Sequence, residues 1–276
     1  MKLISRLLLL LSLSLGLNSM AAASDDVFDK IIEKGEIRVG VSVMAPWVMK
    51  ESDGKYTGFE IDIARQLADD MGVKAVFVEY EWNKMLPALM HKEIDIIASG
   101  LSITPGRSLK VNFSQSYSSS GYSLVSNLKL TKDFNSIKDL NSDKVYIGAV
   151  AGTVSESLVG KVFPNAKLDT FKSLKEAENA VVNGTVHAVV ASAPTPTFIA
   201  LNHAGEVDVP LEKPLMTTRE AFAINKHNPE MLNYLNSWIT AHEADEWIKS
   251  SHEYWFKSLK WRSKVLAKND DLFVNR

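Results

Sequence analysis

An α/β fold of two similar lobes around a cleft is what the sequence predicts. Three observations lead there. Short apolar runs alternate with stretches of helical periodicity after Ser24. The alternation falls into two groups, residues 37–98 and 144–191. Two further apolar runs, 122–125 and 221–224, are placed to carry the chain from one group to the other and back.

In chain order, 37–41 (IRVGV) reads as a buried strand. Residues 58–71 read as a helix, because Ile61, Ala64, Leu67, Ala68 and Met71 fall on one face and Gly72 follows as a stop. Strands at 75–79 and 94–98 enclose a helix at 83–92. The second group repeats this build, with strands at 144–149 and 188–191 and helices at 155–162 and 174–183. Between the groups a polar stretch, 114–120, precedes the first crossing; after the second, 229–241 and 245–254 read as helices. The first lobe is therefore expected to hold 24–122 and 222–276, and the second 123–221, with binding in the cleft between them.

Composition narrows the function. The 276 residues carry 31 Lys+Arg against 33 Asp+Glu and no cysteine. Thiol chemistry, zinc ribbons, Fe–S clusters and an N-terminal lipid on cysteine are excluded. The near-neutral, scattered charge offers no footprint for nucleic acid. Residues 1–23 read as a secretory signal peptide: Lys2 and Arg6, then the leucine-rich run 7–17, then Ala21-Ala22-Ala23. Its removal takes the basic count to 29 and the formal charge to about −4. The mature chain is expected to be exported, unlipidated, periplasmic and monomeric.

Two loops invite an anion. Residues 99–107 (SGLSITPGR) follow a buried strand and end in Arg107, whose guanidinium suits a carboxylate; a surface arginine in an ordinary loop fits the same pattern. Residues 151–156 (AGTVSE) present backbone N–H groups at a helix start; an ordinary N-cap by Thr153 or Ser155 fits equally. Gly100, Gly106 and Gly152 lack the spacing of a nucleotide loop, and His187, His203, His242 and His252 lack metal-ligand spacing, so neither cofactor nor metal is expected.

Order and spacing together carry a resemblance. Residues 31–40 (IIEKGEIRVG), Gly58-Phe59-Glu60-Ile61-Asp62, Trp82-Asn83, Asp95-Ile96-Ile97, Ser102-Ile103-Thr104-Pro105-Gly106-Arg107, Val111-Asn112-Phe113-Ser114 and Gly152-Thr153 resemble the bacterial extracellular solute-binding proteins of the polar amino-acid type, family 3, which feed ABC transporters. The resemblance runs to about Phe256. It implies a type II periplasmic-binding fold whose two hinge crossings let the lobes close on a ligand. It also implies that Arg107 holds the ligand carboxylate, with Ser102 and Gly100 beside it, Thr153 adding an N–H from the second lobe and Trp82 laying its ring on the ligand. Trp47 matches a family aromatic that packs more often than it contacts ligand. Glu60 and Asp62 match structural residues.

Two departures stand out. Where amino-acid binders of the family place an Asp for the ligand ammonium, this chain has Ser192; where many place an aromatic lid, it has Met44. Three readings of Ser192 stay open: a ligand without an α-amino group, a counter-charge supplied by Glu220, or a dehydratase acting on a carboxylated ring with Glu220 or Glu156 as proton donor. A ligand-sensing receptor partner is a further alternative to delivery to a membrane permease. The residues after Phe256 are expected to form a short amphipathic helix on the first lobe, then a tail.

Overall fold

In the computed structural model, which describes residues 27–258 and 260–262, each predicted group builds its own sheet. Residues 1–23, read above as a signal peptide, and the residues beyond Arg262, read as a tail, lie outside the described residues.

The chain enters the first lobe through helix α1 (Val27–Lys34) and the buried strand β1 (Glu36–Val41). A small hairpin, β2 (Met49–Lys50) with β3 (Tyr56–Thr57), leads to helix α2 (Phe59–Asp70). That helix buries the predicted stripe Ile61, Ala64, Leu67 and Ala68. Next come β4 (Lys74–Glu79), helix α3 (Trp82–Met90), β5 (Ile96–Ile97), the four-residue helix α4 (Pro105–Ser108) and β6 (Asn112–Phe113). With the late strand β13 (Ala223–Ile224), the sheet order is β4-β1-β5-β13-β6, and β1 is parallel to both β4 and β5. Strand β13 lies antiparallel between β5 and β6.

The second lobe is built on β7 (Ser118–Asn127), β8 (Tyr146–Val150), helix α5 (Val154–Val162), β9 (Lys167–Phe171), helix α6 (Leu174–Val182), β10 (Ala188–Ser192), helix α7 (Thr195–Asn202), β11 (Val207–Asp208) and β12 (Met216–Glu220). Its sheet runs β11-β7-β10-β8-β9, with β12 also paired to β7. The connections between the sheets are short: Ser114 N–H donates to the Phe222 carbonyl at 3.0 Å, and Tyr117 N–H to the Glu220 carbonyl at 3.1 Å.

The first crossing differs from the sequence expectation. Residues 122–125 do not pass between the lobes; β7 joins the second sheet from Ser118, so the passage lies at 114–117. The reason is pairing: opposite β12, Ser118 and Ser120 are buried while Ser119 is exposed, a strand alternation that a run of serines does not announce by hydropathy. Helix α1, strand β9 and helix α7 were likewise not located individually from the sequence.

Helices α8 (Pro229–Ala244) and α9 (Trp247–His252), with a π-helical turn at Glu253–Lys257, anchor the C-terminal part on the first lobe. Trp238 Nε1 donates to Asp70 at 2.7 Å, and Trp255 Nε1 to Asp62 at 2.7 Å. The next residues reach further than expected. Trp261 is fully buried, its ring centroid 5.4 Å from Trp255 and 5.8 Å from Phe198 of α7, a helix that otherwise packs on the second sheet. Arg262 Nη2 donates to Asn202 of the same helix at 2.8 Å. This segment touches both lobes, because an aromatic slot is open to it between Trp255 and Phe198. Trp261→Ala is expected to lower stability by about 3–5 kcal/mol, measured by denaturant unfolding with the slope checked for constancy.

Candidate functional site

The two anion-seeking loops meet at one carbonyl. Arg107 Nη2 and Trp82 Nε1, both from the first lobe, each donate to the Gly152 carbonyl of the second at 3.1 Å. Gly152 is fixed from its other side as well, its N–H donating to Glu156 Oε2 at 2.7 Å. Arg107 is placed by local chemistry: Thr104 caps α4 by accepting the Arg107 N–H at 3.3 Å, and Pro105 occupies the first helical position. Its Nη1 donates to the Ser102 carbonyl at 2.8 Å, and its guanidinium stands 5.8 Å from the centre of the Trp82 ring. Burial holds its pKa below the ordinary arginine value.

A cavity of about 1300 Å³ opens between the lobes at this junction. Helices α3 and α5 form its walls through Trp82, Leu86, Val154 and Leu158, and β12 contributes Met216, Thr217, Thr218 and Arg219. Arg107 and Thr153 border it. Thr153 turns both its N–H and its hydroxyl to the Val150 carbonyl, at 3.3 and 2.6 Å.

The other singled-out residues lie elsewhere. Ser102 is buried on the opposite side of its strand-like segment, its hydroxyl 3.1 Å from both the Tyr122 hydroxyl and Thr218 Oγ1. Thr218 in turn donates to Glu220 Oε1 at 3.1 Å. Ser192 ends β10 in register with Tyr122 and is buried on that same face. Gly100 gives its N–H to Glu60 Oε1 at 2.8 Å rather than leaving it free for a ligand. Met44 pairs through its backbone with Val48 and packs, half-buried, on the first-lobe core. The sequence therefore named two sets: Arg107, Trp82 and Thr153 at the cavity, and Ser102, Glu220 and Ser192 on the buried face behind it. Tyr122 and Thr218, which connect that second set, carried no signal beyond being a tyrosine and a threonine in strands.

Beneath this face lies a pair of buried carboxyls. Glu60, wholly buried, accepts from Tyr117 Oη at 2.7 Å as well as from Gly100, and burial raises its pKa from 4.5 to about 7, with Glu220 nearby adding to the rise. Burial also raises Glu220, against the pull of Ser120, Ser118 and Thr218. Glu60 thus joins α2, the site loop and the first crossing through one side chain. Glu156, the other acid considered, is engaged with Gly152. Among the described residues no group of three or more His, Asp or Glu is placed to hold a metal ion.

Two outcomes follow. Because the folded pKa of Glu60 lies above its unfolded value, the native state binds the extra proton between pH 4.5 and about 7. Its contribution is fully present below the lower value and is lost as pH rises through the upper one, by at most roughly 3 kcal/mol. In Glu60→Gln the amide oxygen still accepts from Gly100 and the amide nitrogen donates to Tyr117 Oη, reversing that bond, and unfolding measured across pH should become flatter in that window. Gly100 has φ +66°, and an added Cβ would stand 2.6 Å from Trp47 Cδ1. Gly100→Ala should therefore cost at least about 1–2 kcal/mol, read as a fall in the midpoint of denaturant unfolding.

Comparison with known proteins agrees with this architecture. The bacterial extracellular solute-binding proteins, family 3, match residues 37–258. The L-cystine-binding protein TcyJ of Escherichia coli (strain K12) is 26% identical over 249 residues, covering 87% of this chain and 90% of that protein. The crystal structure of the ancestral amino acid-binding protein AncCDT-1, a precursor of cyclohexadienyl dehydratase, is 35% identical with a TM-score of 0.77, over 84% of this chain and 99% of that one. An ancestral arginine-binding protein bound to arginine is 30% identical with a TM-score of 0.73, over 80% of this chain and 98% of that one. The two sheets, their double crossing and the cavity between them are the type II periplasmic-binding fold, and the chain belongs to the bacterial extracellular solute-binding proteins, family 3.

Proposed function

We propose that this protein captures a small carboxylate-bearing solute, an amino acid or close analogue, in the cleft between its lobes and delivers it to the membrane permease of an ABC transporter. Arg107 carries this reading. Its guanidinium borders the cavity and is hydrogen-bonded to two carbonyl oxygens, with no ion pair among the described residues. A guanidinium desolvated in this way gains most from a carboxylate that accepts two of its N–H groups. Trp82 supplies a rigid ring beside it and Thr153 the helix start across the cleft. The names of the similar proteins, binders of cystine, arginine and amino acids, support the solute class. Removal of residues 1–23 would leave a diffusible periplasmic monomer with no cysteine to carry lipid.

A binding role is favoured over an enzymatic one by where the acids sit. Glu220 has the raised pKa that a proton donor needs, but Thr218 and Ser102 stand around it, and it does not line the cavity; Glu156 is held by Gly152. The dehydratase reading, which the link between AncCDT-1 and a dehydratase keeps in view, requires turnover of a carboxylated ring and its loss in Glu220→Gln.

Ligand binding stabilises the folded state by mass action, so a melting screen of amino acids and organic acids should give a hit whose stabilisation grows with ligand concentration. Arg107→Ala is expected to weaken that ligand at least about a hundredfold, the scale of a lost charge-assisted pair. Unchanged affinity by calorimetry would remove Arg107 from the site.

A further inference from the structure

The charges around the cavity do not match those of the whole chain. Acids outnumber Lys+Arg by 33 to 31, yet each charged side chain lining the cavity is a cation: Arg107, Lys110, Lys161 and Arg219. They come from three elements, α4, α5 and β12, and the turn after α4. Lys110 follows α4, its N–H donating to the Arg107 carbonyl at 2.8 Å. Lys161 lies on the stripe Val154, Ser157, Leu158, Lys161 of α5, the spacing of one helix face, and that whole stripe lines the cavity. Arg219 lies on β12 between the half-buried Thr218, which also lines the cavity, and the buried Glu220; it is exposed, with Ser119 in register beside it. None of the four forms an ion pair among the described residues. The rest of the wall mixes apolar side chains, Leu86, Leu101, Val154 and Leu158 among them, with uncharged polar ones such as Ser119, Ser157 and Thr217.

Resting on the solute-receptor reading above, we infer that the solute carries at least two anionic groups, one held by Arg107 and another met by the further cations of the same cavity, Lys161 and Arg219 among them. Three physical points lead to this. Like charges around one cavity raise each other's energy and focus a positive potential into it, and an anionic ligand relieves that cost. A cationic amino acid would meet four like charges and no carboxylate on the cavity wall. The cavity, at about 1300 Å³, exceeds the roughly 300–1,000 Å³ typical of small-molecule pockets, leaving room for a body longer than that of a simple amino acid. Ser192 in place of an acid agrees with this, since a second carboxylate needs no counter-anion.

Calorimetry on the mature full chain tests it with suberate, phthalate and glutamate as dianionic probes, leucine as a probe with one carboxylate and no side-chain charge, and arginine and lysine as cationic ones. At least one dianion should bind more tightly than leucine, arginine or lysine. Its affinity should fall about tenfold or more between low and high salt. The paired change Lys161→Gln with Arg219→Gln should weaken the dianion about tenfold or more while altering leucine binding less than about threefold. Both positions are exposed, and an unchanged melting temperature of the ligand-free double variant verifies its fold. Tighter binding of arginine or lysine, with loss in Arg107→Ala, would overturn the dianion inference and leave the receptor reading standing. Dianion binding that survives Arg107→Ala would overturn the shared site, and no binding by any carboxylate would overturn both.

Discussion

The Gly152 carbonyl accepts from two first-lobe side chains at once, and the relation between the lobes turns on that contact. A hydrogen bond from a charged donor contributes on the order of 1.5–3 kcal/mol, enough to bias a lobe equilibrium but small enough for a ligand to replace. On the proposed function, an incoming carboxylate competes with two neutral carbonyls for the N–H groups of Arg107, and its charge favours the exchange. Glu156, by holding the Gly152 N–H, keeps the accepting carbonyl aimed at the first lobe. On the same proposal, closure with ligand is a shift between two sets of bonds made by the same guanidinium.

Behind this contact the molecule is stiffened by groups that face no solvent. Glu60 ties Gly100 and Tyr117 together, Tyr117 in turn reaches the Glu220 backbone, and Ser102, Tyr122, Thr218 and Glu220 share a chain of hydroxyl contacts across the crossing strands. A buried carboxyl with a raised pKa is costly to ionise, so these acids suit a structural role near neutral pH in which protonation changes stability before it changes binding. At the far end, Trp261 inserts between Trp255 and Phe198 and adds a contact between the lobes outside the two crossings.

The periodic elements were readable because they are amphipathic in the ordinary way. Residues 58–71 gave α2 nearly to the residue, and 37–41 gave β1, since helix and strand spacing of apolar side chains survives in any tertiary setting. The family motifs were readable for another reason: Arg107, Trp82 and Thr153 occupy fixed places relative to those elements. The first crossing was not readable, because Ser118–Ser120 become strand residues only when β12, almost a hundred residues later, pairs with them. Neither was the division of the site residues into two faces, which depends on how Leu101 and Ser102 alternate against β12.

By itself, then, the sequence determined the α/β class, the two groups of elements, the return of the chain at 221–224 and the family, all properties set by local spacing and residue type. Only the tertiary structure decided which residues share the cavity, that Gly100 spends its N–H on Glu60, that Glu220 is buried behind Thr218, and that Lys110, Lys161 and Arg219 line the same cavity as Arg107. The physical reason is that burial and potential are sums over neighbours from distant parts of the chain. A lysine on α5 and an arginine on β12 have no electrostatic relation until the fold brings them to one wall.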